Sequence, residues 1–467
     1  MGTKNYIVAL ELGSSKVSGA VAVENYDGIN VIAYTSEPVN GFIAKGVVRN
    51  IDETSKCLTS IINKLETQLD GVTIQKAYVA LAGLSIQSIK STVKREFPEY
   101  TKITQEIIDE MGLENDSVFC VPEGYQRVQV VTQEYKMNGN TTLKPIGMSV
   151  KNIECDYINI IIKEQFMKQL EESFQLAKIE IADSFTAARI NAEQLLNNDE
   201  KRDGSALVDI GAETTTIAIC ANNLLRKLCV LPLGGANITR DLQAEHVSQS
   251  DAETLKIHAG YKAERFGEST ISSELRDNII GARMMEILQN VHQQIKRSGE
   301  NPSNAVITGG AAKLKNIEPL LNENLPGLKI RIATEPFIEF TTSNTLKVRR
   351  EEISATLLGL LKAGKENCCL EPKIQAVQQV IFKDEEATTD TKNDVPQQLK
   401  DKKETLKETA QTKEKEEKKS GKTKKKPSLI SIFDGWTDSF KKTAKDFVDN
   451  ATKEEDDYIA DDEDDKN

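Results

Sequence analysis

At 467 residues the chain is too long for one ordinary domain, which excludes a single-core reading in favour of roughly two to four cores with tails. Hydrophobic residues make up 39% and charged residues 28%, the balance of a soluble globular protein, and a formal net charge of -12 excludes general affinity for nucleic acid polyanions. Any basic function is therefore local.

The opening MGTKNYIVALELG has no basic, apolar and small-residue tripartite signal, so the chain is expected to stay in the cytoplasm. YIVAL reads as a strand and runs into LELGSSKVSGAV, a strand, tight glycine turn and second strand. Asp52 to Leu69 reads as a helix, with acidic residues at its start and Leu58, Ile61, Ile62 and Leu65 at helical spacing on the face that packs. After the strand AYVAL, a helix over Gln105 to Met111 and strands such as RVQVVTQEYKM fit a small α+β module. The strand YINIIIK follows, then helices over Glu164 to Ala177 and Ala187 to Asn197.

ALVDIGAETTTIA then repeats the opening: Glu11 falls on Asp209, Leu12 on Ile210, Gly13 on Gly211, and Ser14-Ser15-Lys16 faces Ala212-Glu213-Thr214. Glycine lets main-chain N–H groups approach phosphate oxygens, hydroxyls and a lysine supplement them, and a carboxylate at a strand end can hold a hydrated magnesium ion. Either copy alone is better read as an ordinary hairpin turn; two copies inside β-branched runs read as a pair of phosphate grips. A helix covers Arg276 to Ser298. NAVITGGAA is a buried strand entering Gly309 and Gly310, ahead of a helix over Leu314 to Leu321 whose N-terminus is open to an anion or a nucleobase-sugar edge; a plain strand-to-helix turn is the alternative. With a last helix over Ile353 to Ala363, the alternation from Lys4 to about Lys365 argues α/β architecture.

After about Leu370 the character changes. Asp384 to Lys426 has scarcely an aliphatic residue, so no core offsets the entropy of ordering it, and a disordered linker is expected. It closes on KKSGKTKKK. Ser428 then caps a helix carrying Leu429, Ile432, Phe433, Trp436, Phe440, Ala444, Phe447 and Val448 on one side. That face, with the Lys422 to Lys426 cluster, suffices for reversible anchoring to anionic lipid, against which Gly435, Asp434 and Asp438 weigh; docking on protein is the alternative. No uninterrupted apolar run approaches the roughly 20 residues of a membrane span. Seven cysteines lack CxxC spacing and read as reduced thiols of a cytosolic protein, and His246, His258 and His292 lack ligand-like pairing and read as structural or surface residues.

The order of acidic-glycine hairpin, acidic-glycine hairpin and double-glycine turn resembles the actin, DnaK-type chaperone and sugar kinase superfamily over most of Lys4 to Lys365, with no GxxxxGK[ST] loop present. AKGVVRNIDETSKCL, AYVALAGLSIQSI, VVTQEYKMNG with KPIGM, and LPLGGANITRDL ahead of SDAETLKI are similar to the bacterial cell-division family FtsA. The resemblance implies an α/β, actin-like fold with two lobes around a nucleotide cleft. Its first lobe would be 1–83 and 164–200, an inserted α+β subdomain 84–163, and the second lobe 201–365. A disordered charged linker over 366–427, an amphipathic membrane-binding helix over 428–448 and an acidic tail over 449–467 would follow.

By the same resemblance Glu11, Gly13, Ser14, Ser15 and Lys16 match the first phosphate motif, and Asp209, Gly211, Glu213, Thr214 and Thr215 the second. Gly234 and Gly235 match a ribose- and phosphate-side turn, Glu253 and Lys256 the purine-side helix, and Gly309 and Gly310 the adenosine motif, with Glu11 and Asp209 holding Mg2+. Two positions depart from the family: Glu11 replaces an Asp, and DSFTAARINAEQLL puts Thr186 and Ala187 where active relatives carry a water-orienting Gln or Glu. Binding of ATP with Mg2+ is therefore expected, with at most slow hydrolysis and no catalytic residue assigned. The implied partners are the C-terminal peptide of the tubulin-like protein FtsZ, with Lys296 and Arg297 as candidates for its acidic residues, further copies of the chain in a polymer, other division proteins, and the cytoplasmic face of the inner membrane at the division site. An adaptor of a pilus or other envelope machine is the alternative, and a small-molecule kinase of the superfamily a more remote one.

Overall fold

The computed structural model describes residues 4–25, 28–261, 271–343 and 346–371. The first core opens with three strands, β1 (Tyr6–Leu12), β2 (Lys16–Asn25) and β3 (Gly28–Pro38), paired antiparallel in sequence order. Every residue of β1 except Glu11 is buried, as a central strand requires. Two short strands, β4 (Ile43–Ala44) and β5 (Val47–Val48), pair across the Lys45–Gly46 turn. Helix α1 (Ile51–Thr67) starts at Asn50, whose side chain accepts the Glu53 N–H at 3.1 Å, and buries Leu58, Ile61, Ile62 and Leu65 on the sheet. Strands β6 (Thr73–Ile74) and β7 (Lys76–Leu81) complete this stretch.

The chain then leaves for a separate sheet made of β8 (Gln87–Lys102), α2 (Gln105–Val118), β9 (Tyr125–Met137), β10 (Asn140–Thr142) and β11 (Ser149–Lys163), with all strands antiparallel in the order β10-β9-β11-β8. Its own core includes Val93, Ile103, Met111, Tyr135 and Ile153. Helix α2 runs past the expected end at Met111. A Cβ added to half-buried Gly112 would meet no atom within 4 Å, and buried Asn115 accepts from Ser91 Oγ at 2.5 Å and donates to Asn159 Oδ1 at 3.2 Å, so tertiary bonds carry the helix over a local stop signal.

Back on the first core come α3 (Glu164–Leu176), β12 (Glu180–Thr186) and α4 (Ala187–Leu195), followed by the short α5 (Asn198–Asp203) with a capping box on Asn197 and Glu200. The second core holds β13 (Ser205–Ile210), β14 (Thr215–Ala221), β15 (Leu224–Leu231), α6 (Gly235–Gln243), α7 (Gln249–Thr254), α8 (Ser273–Arg297), β16 (Asn304–Thr308), α9 (Glu318–Asn324) and β17 (Lys329–Ile332). Its sheet runs β15-β14-β13-β16-β17. The helix expected over Leu314 to Leu321 starts late, at Glu318, and runs on to Asn324. One 3-10 turn at Ala311–Lys313 follows the glycines, Asn316 takes φ 58°, and Pro319 fixes the start of α9, where its missing N–H costs nothing.

The last described residues return to the first core: β18 (Phe340–Thr342) pairs in parallel with β3, α10 (Ala355–Ala363) packs on β1, β7 and α4, and β19 (Cys369–Leu370) pairs with β6. The assignment of everything from 201 to 365 to the second lobe, and of 366 onward to a linker, is corrected accordingly. The physical reason is burial: Leu357, Leu358, Leu360 and Leu361 all sit in the first core, so α10 is apolar nearly all round. The first sheet is thus β12-β7-β1-β2-β3-β18. Both sheets share one plan: an antiparallel meander (β1-β2-β3 or β13-β14-β15) extended beside its first strand by two parallel strands (β7 and β12, or β16 and β17). The remainder of the expected linker, the amphipathic segment with Leu429, Ile432, Phe433, Trp436, Phe440 and Phe447, and the acidic tail lie outside the described residues. Among the described residues no helix is long and apolar enough to cross a membrane.

Candidate functional site

The two meanders begin with the same turn. Gly13 N–H donates to the Lys16 carbonyl at 3.0 Å, and Gly211 N–H donates to the Thr214 carbonyl at 2.8 Å, so each first strand reverses over one three-residue step. Both turns open on a cleft of about 460 Å³. Glu11, Gly13, Ser14, Ser15 and Lys16 line it from the first core, and Asp209, Gly211, Thr214, Gly235, Glu253, Lys256, Gly309 and Gly310 from the second.

Three expected residues stand elsewhere. Thr215 points away from the cleft and donates to the Leu233 carbonyl at 2.8 Å, because alternation along β14 turns Thr214 and Thr216 toward the cleft instead. Gly234 lies behind the turn, where the Gly235 and Ala236 N–H groups at the start of α6 donate to the Gly211 and Ala212 carbonyls at 2.9 and 2.6 Å. Glu213 reaches across to the first core: its Oε2 accepts the Lys45 N–H at 2.7 Å, and Arg240 lies 3.3 Å from its Oε1. Beside that bond the Gly46 N–H donates to Ser14 Oγ at 2.8 Å. The Lys45–Gly46 turn is therefore clasped by both hairpins, and it also abuts the root of the inserted sheet. A Cβ on Gly46, at φ 69°, would fall 2.7 Å from the Gly83 Cα, and the Leu84 N–H donates to the Lys45 carbonyl at 3.1 Å.

Glu11 and Asp209 are the cleft's two acidic strand ends, each the next-to-last residue of its strand. Burial, then the nearby Glu11 carboxylate, pushes the Asp209 carboxyl up to about 6, while the Asn191 amide pulls the other way, donating to its Oδ2 at 3.2 Å. Gly309, at φ 93°, closes over this carboxyl; a Cβ there would meet Asp209 Oδ1 and the Ile210 carbonyl at 2.4 Å. Asn191 Oδ1 in turn accepts from Thr356 Oγ1 at 3.0 Å, and Ser354 Oγ donates to Glu11 Oε2. Ser18 Oγ, buried opposite Glu11 in the β1–β2 register, lines the cleft without a hydrogen-bond partner. Like charges converging in one cleft, with the unpartnered Ser18 hydroxyl beside them able to accept from a metal-bound water, fit a hydrated divalent cation that takes few protein ligands. Among the described residues no group of three or more His, Cys, Asp or Glu gathers as a metal cage.

On the far wall Lys256 Nζ donates to Glu253 Oε2 at 2.7 Å, Thr239 Oγ1 at 2.9 Å and the Gly235 carbonyl at 3.3 Å. Burial pushes the Glu253 carboxyl up, but the hydrogen bonds from Lys256 and Thr239 outweigh it and hold the group below its usual value. Thr186, at the position compared with a water-orienting residue, is buried and donates to Gln129 Oε1 of β9 at 2.9 Å. Lys296 and Arg297 are exposed in the last turn of α8, where positive charge suits the helix dipole. Thr216, Asn191, Ser354 and Thr356 are site residues that sequence reasoning missed. The period-2 alternation of strand β14 would have found Thr216; nothing local marks the others as neighbours of the carboxylates.

Comparison with known proteins bears on the fold and its insert. A family model described as "Cell division protein FtsA" matches residues 206–355, and one described as "SHS2 domain inserted in FTSA" matches 83–161, the span of the inserted sheet. The FtsA of Porphyromonas gingivalis is 28% identical over 397 residues, covering 79% of this chain and 80% of that one. The Bacillus subtilis FtsA is 28% identical over 359 residues (72% and 80%), and the Escherichia coli K12 FtsA 25% over 392 (78% and 91%). Among solved structures, the PilM-PilN type IV pilus biogenesis complex superimposes with a TM-score of 0.57 at 16% identity, covering 76% of this chain and 97% of that one, a likeness of fold. Two facing α/β bodies of one plan, the inserted α+β sheet and these relatives give an actin-like fold. With residues 206–355 and the inserted sheet each matched by a model of that name, and relatives of 25–28% identity aligned over most of both chains, the chain is similar to the FtsA family of bacterial cell-division proteins.

Proposed function

We propose that this chain is a nucleotide-dependent division adaptor: it binds ATP with Mg2+ in the cleft, polymerises, and tethers FtsZ filaments to the cytoplasmic face of the membrane through its C-terminal segment. The observation that carries the reading is the pair of matching hairpins presenting Glu11 and Asp209 to one cleft. Bound Mg2+ would supply positive charge between these carboxylates and the phosphates. Gly13 to Lys16 and Gly211 to Thr214 would then hold the phosphates through main-chain N–H groups and hydroxyls, and Lys256 and Glu253 would flank the base. Gly309 and Gly310 would let the nucleoside approach the second sheet.

A filament adaptor needs the nucleotide to bias the relation of its lobes, a population shift, so binding matters more than turnover. Thr186 and Ala187, in place of a group that orients water, support slow hydrolysis. Exposed Tyr100, Leu143, Ile146 and Met148 on the inserted subdomain support self-association. Lys296 and Arg297 supply positive charge for an acidic FtsZ tail, and the segment carrying Trp436 supplies the lipid-facing surface. Liposome sedimentation tests the tether: the intact chain should sediment with anionic vesicles and carry FtsZ with it, whereas a chain ending at Pro427 should stay in solution. Equal sedimentation of the two would remove the tether. A second reading, a pilus-type adaptor, is favoured by the fold likeness to the pilus complex; tight binding of the FtsZ tail peptide, weakened by Lys296→Glu with Arg297→Glu, would exclude it.

A further inference from the structure

We propose that the capping turn of α10 is the positioning element of the cation site: Ser354 sets Glu11 directly, and Thr356 sets Asp209 through Asn191. The inference deepens the nucleotide reading above and rests on it.

The hydroxyl of Ser354 has one proton and is bonded twice. It accepts the Leu357 N–H at 3.1 Å as the N-cap of α10, which commits its proton to Glu11 Oε2. Two residues on, buried Thr356 donates from Oγ1 to Asn191 Oδ1 at 3.0 Å. With its carbonyl end taken, the Asn191 amide must present Nδ2 outward, and it donates to Asp209 Oδ2 at 3.2 Å. One capping turn thus orients an oxygen on each of two carboxylates that lie in different sheets and are separated by nearly two hundred residues. A Glu at position 11 has one more rotatable bond than an Asp, so its carboxylate needs an external hold if the cation is to find it preorganised. Ser354 is that hold. Neither hydroxyl needs to touch nucleotide; both act through the carboxylates.

The test is ATP affinity of the full-length protein, measured by calorimetry with Mg2+ and with EDTA, the ratio of the two being the readout. Ser354→Gly is the discriminating variant. Glycine is nearly as good an N-cap as serine, so the fold is kept, and it removes the donor to Glu11 without adding charge to the cleft. It should cut the Mg2+-dependent gain about threefold to tenfold, with the larger loss in the Mg2+ arm; Ser354→Ala should do the same, and Ser354→Thr should restore it. Thr356→Val, of matching volume, should cost about threefold in the same ratio and Thr356→Ser should recover it. If Ser354→Gly matches the parent ratio, or if these variants weaken both arms equally, the positioning role is overturned while the nucleotide reading stands. If the parent protein shows no Mg2+-dependent ATP binding at all, both fall.

Discussion

Burial and the neighbouring Glu11 carboxylate both disfavour charge on Asp209, and a single amide hydrogen bond from Asn191 opposes them. The folded carboxyl therefore titrates at about 6 rather than its ordinary 3.8, and between those values the folded chain holds a proton that the unfolded chain has released. By linkage, the stability this group contributes is complete below 3.8 and is lost as pH rises through about 6. Asp209→Asn keeps the acceptor facing Asn191 and removes the charge. In calorimetric melts of the nucleotide-free protein it should raise Tm near pH 7, by about 2–4 °C for each kcal/mol recovered, and the gap should shrink to about half near pH 5 and close only below 3.8. A gap of the same size at both pH values would mean that the gain comes from something other than the missing charge. Such a conflict at rest is what the proposed cation site calls for, and it differs from a buried ion pair optimised for stability.

Where elements meet, the inserted sheet is held by more than its covalent root. Arg226 of β15 makes a two-pronged bond to Glu134 of β9 and donates to Gln133 Oε1 at 2.9 Å, while Gln133 Nε2 donates to the Leu225 carbonyl at 3.1 Å and Ser88 Oγ of β8 accepts the buried Leu228 N–H at 2.8 Å. Burial pushes Glu134 up, yet the hydrogen bonds from Arg226 and Asn222 win and hold it below its ordinary value. An insert that leaves from the first core is thereby docked on the edge of the second. Arg226→Leu strands a half-desolvated carboxylate and should cost about 1–3 kcal/mol in urea unfolding, with faster amide exchange along β9 and β15, and Glu134→Leu added to it should return part of the loss. Unchanged exchange in the single variant would show that the insert is held by its root alone. This junction also marks the limit of sequence reading. The acidic-glycine hairpins were legible because the turn chemistry lies within six residues, and α1 because its apolar period is local. The docking of β9 on β15, the return of α10 to the first sheet and the hold of Ser354 on Glu11 each depend on partners from about ninety to more than three hundred residues away, which no local pattern encodes.

Across the whole body the two cores already touch where a nucleotide would bridge them. Glu213 of the second hairpin accepts the Lys45 N–H, Ser14 of the first accepts the Gly46 N–H, and the turn between them presses on Gly83, where the inserted sheet begins. A phosphate chain gripped by both hairpins would add a second link in parallel with this clasp, so the two links should compensate for one another. Glu213→Ala cuts the protein's own link without removing a residue that lines the cleft. Without nucleotide, it should lower Tm and speed amide exchange over residues 42–48 by about tenfold, the equivalent of one hydrogen bond of roughly 1.4 kcal/mol. MgATP at a hundredfold excess over its Kd should stabilise the parent by about 2.7 kcal/mol and bring exchange in the variant back toward the parent's, because the ligand now holds the lobes together. Should MgATP raise Tm yet leave residues 42–48 of Glu213→Ala as exposed as before, nucleotide would be stabilising one lobe rather than bridging two. Any coupling of the cleft to the inserted subdomain would then run through the β9–β15 edge instead of through Gly46 and Gly83.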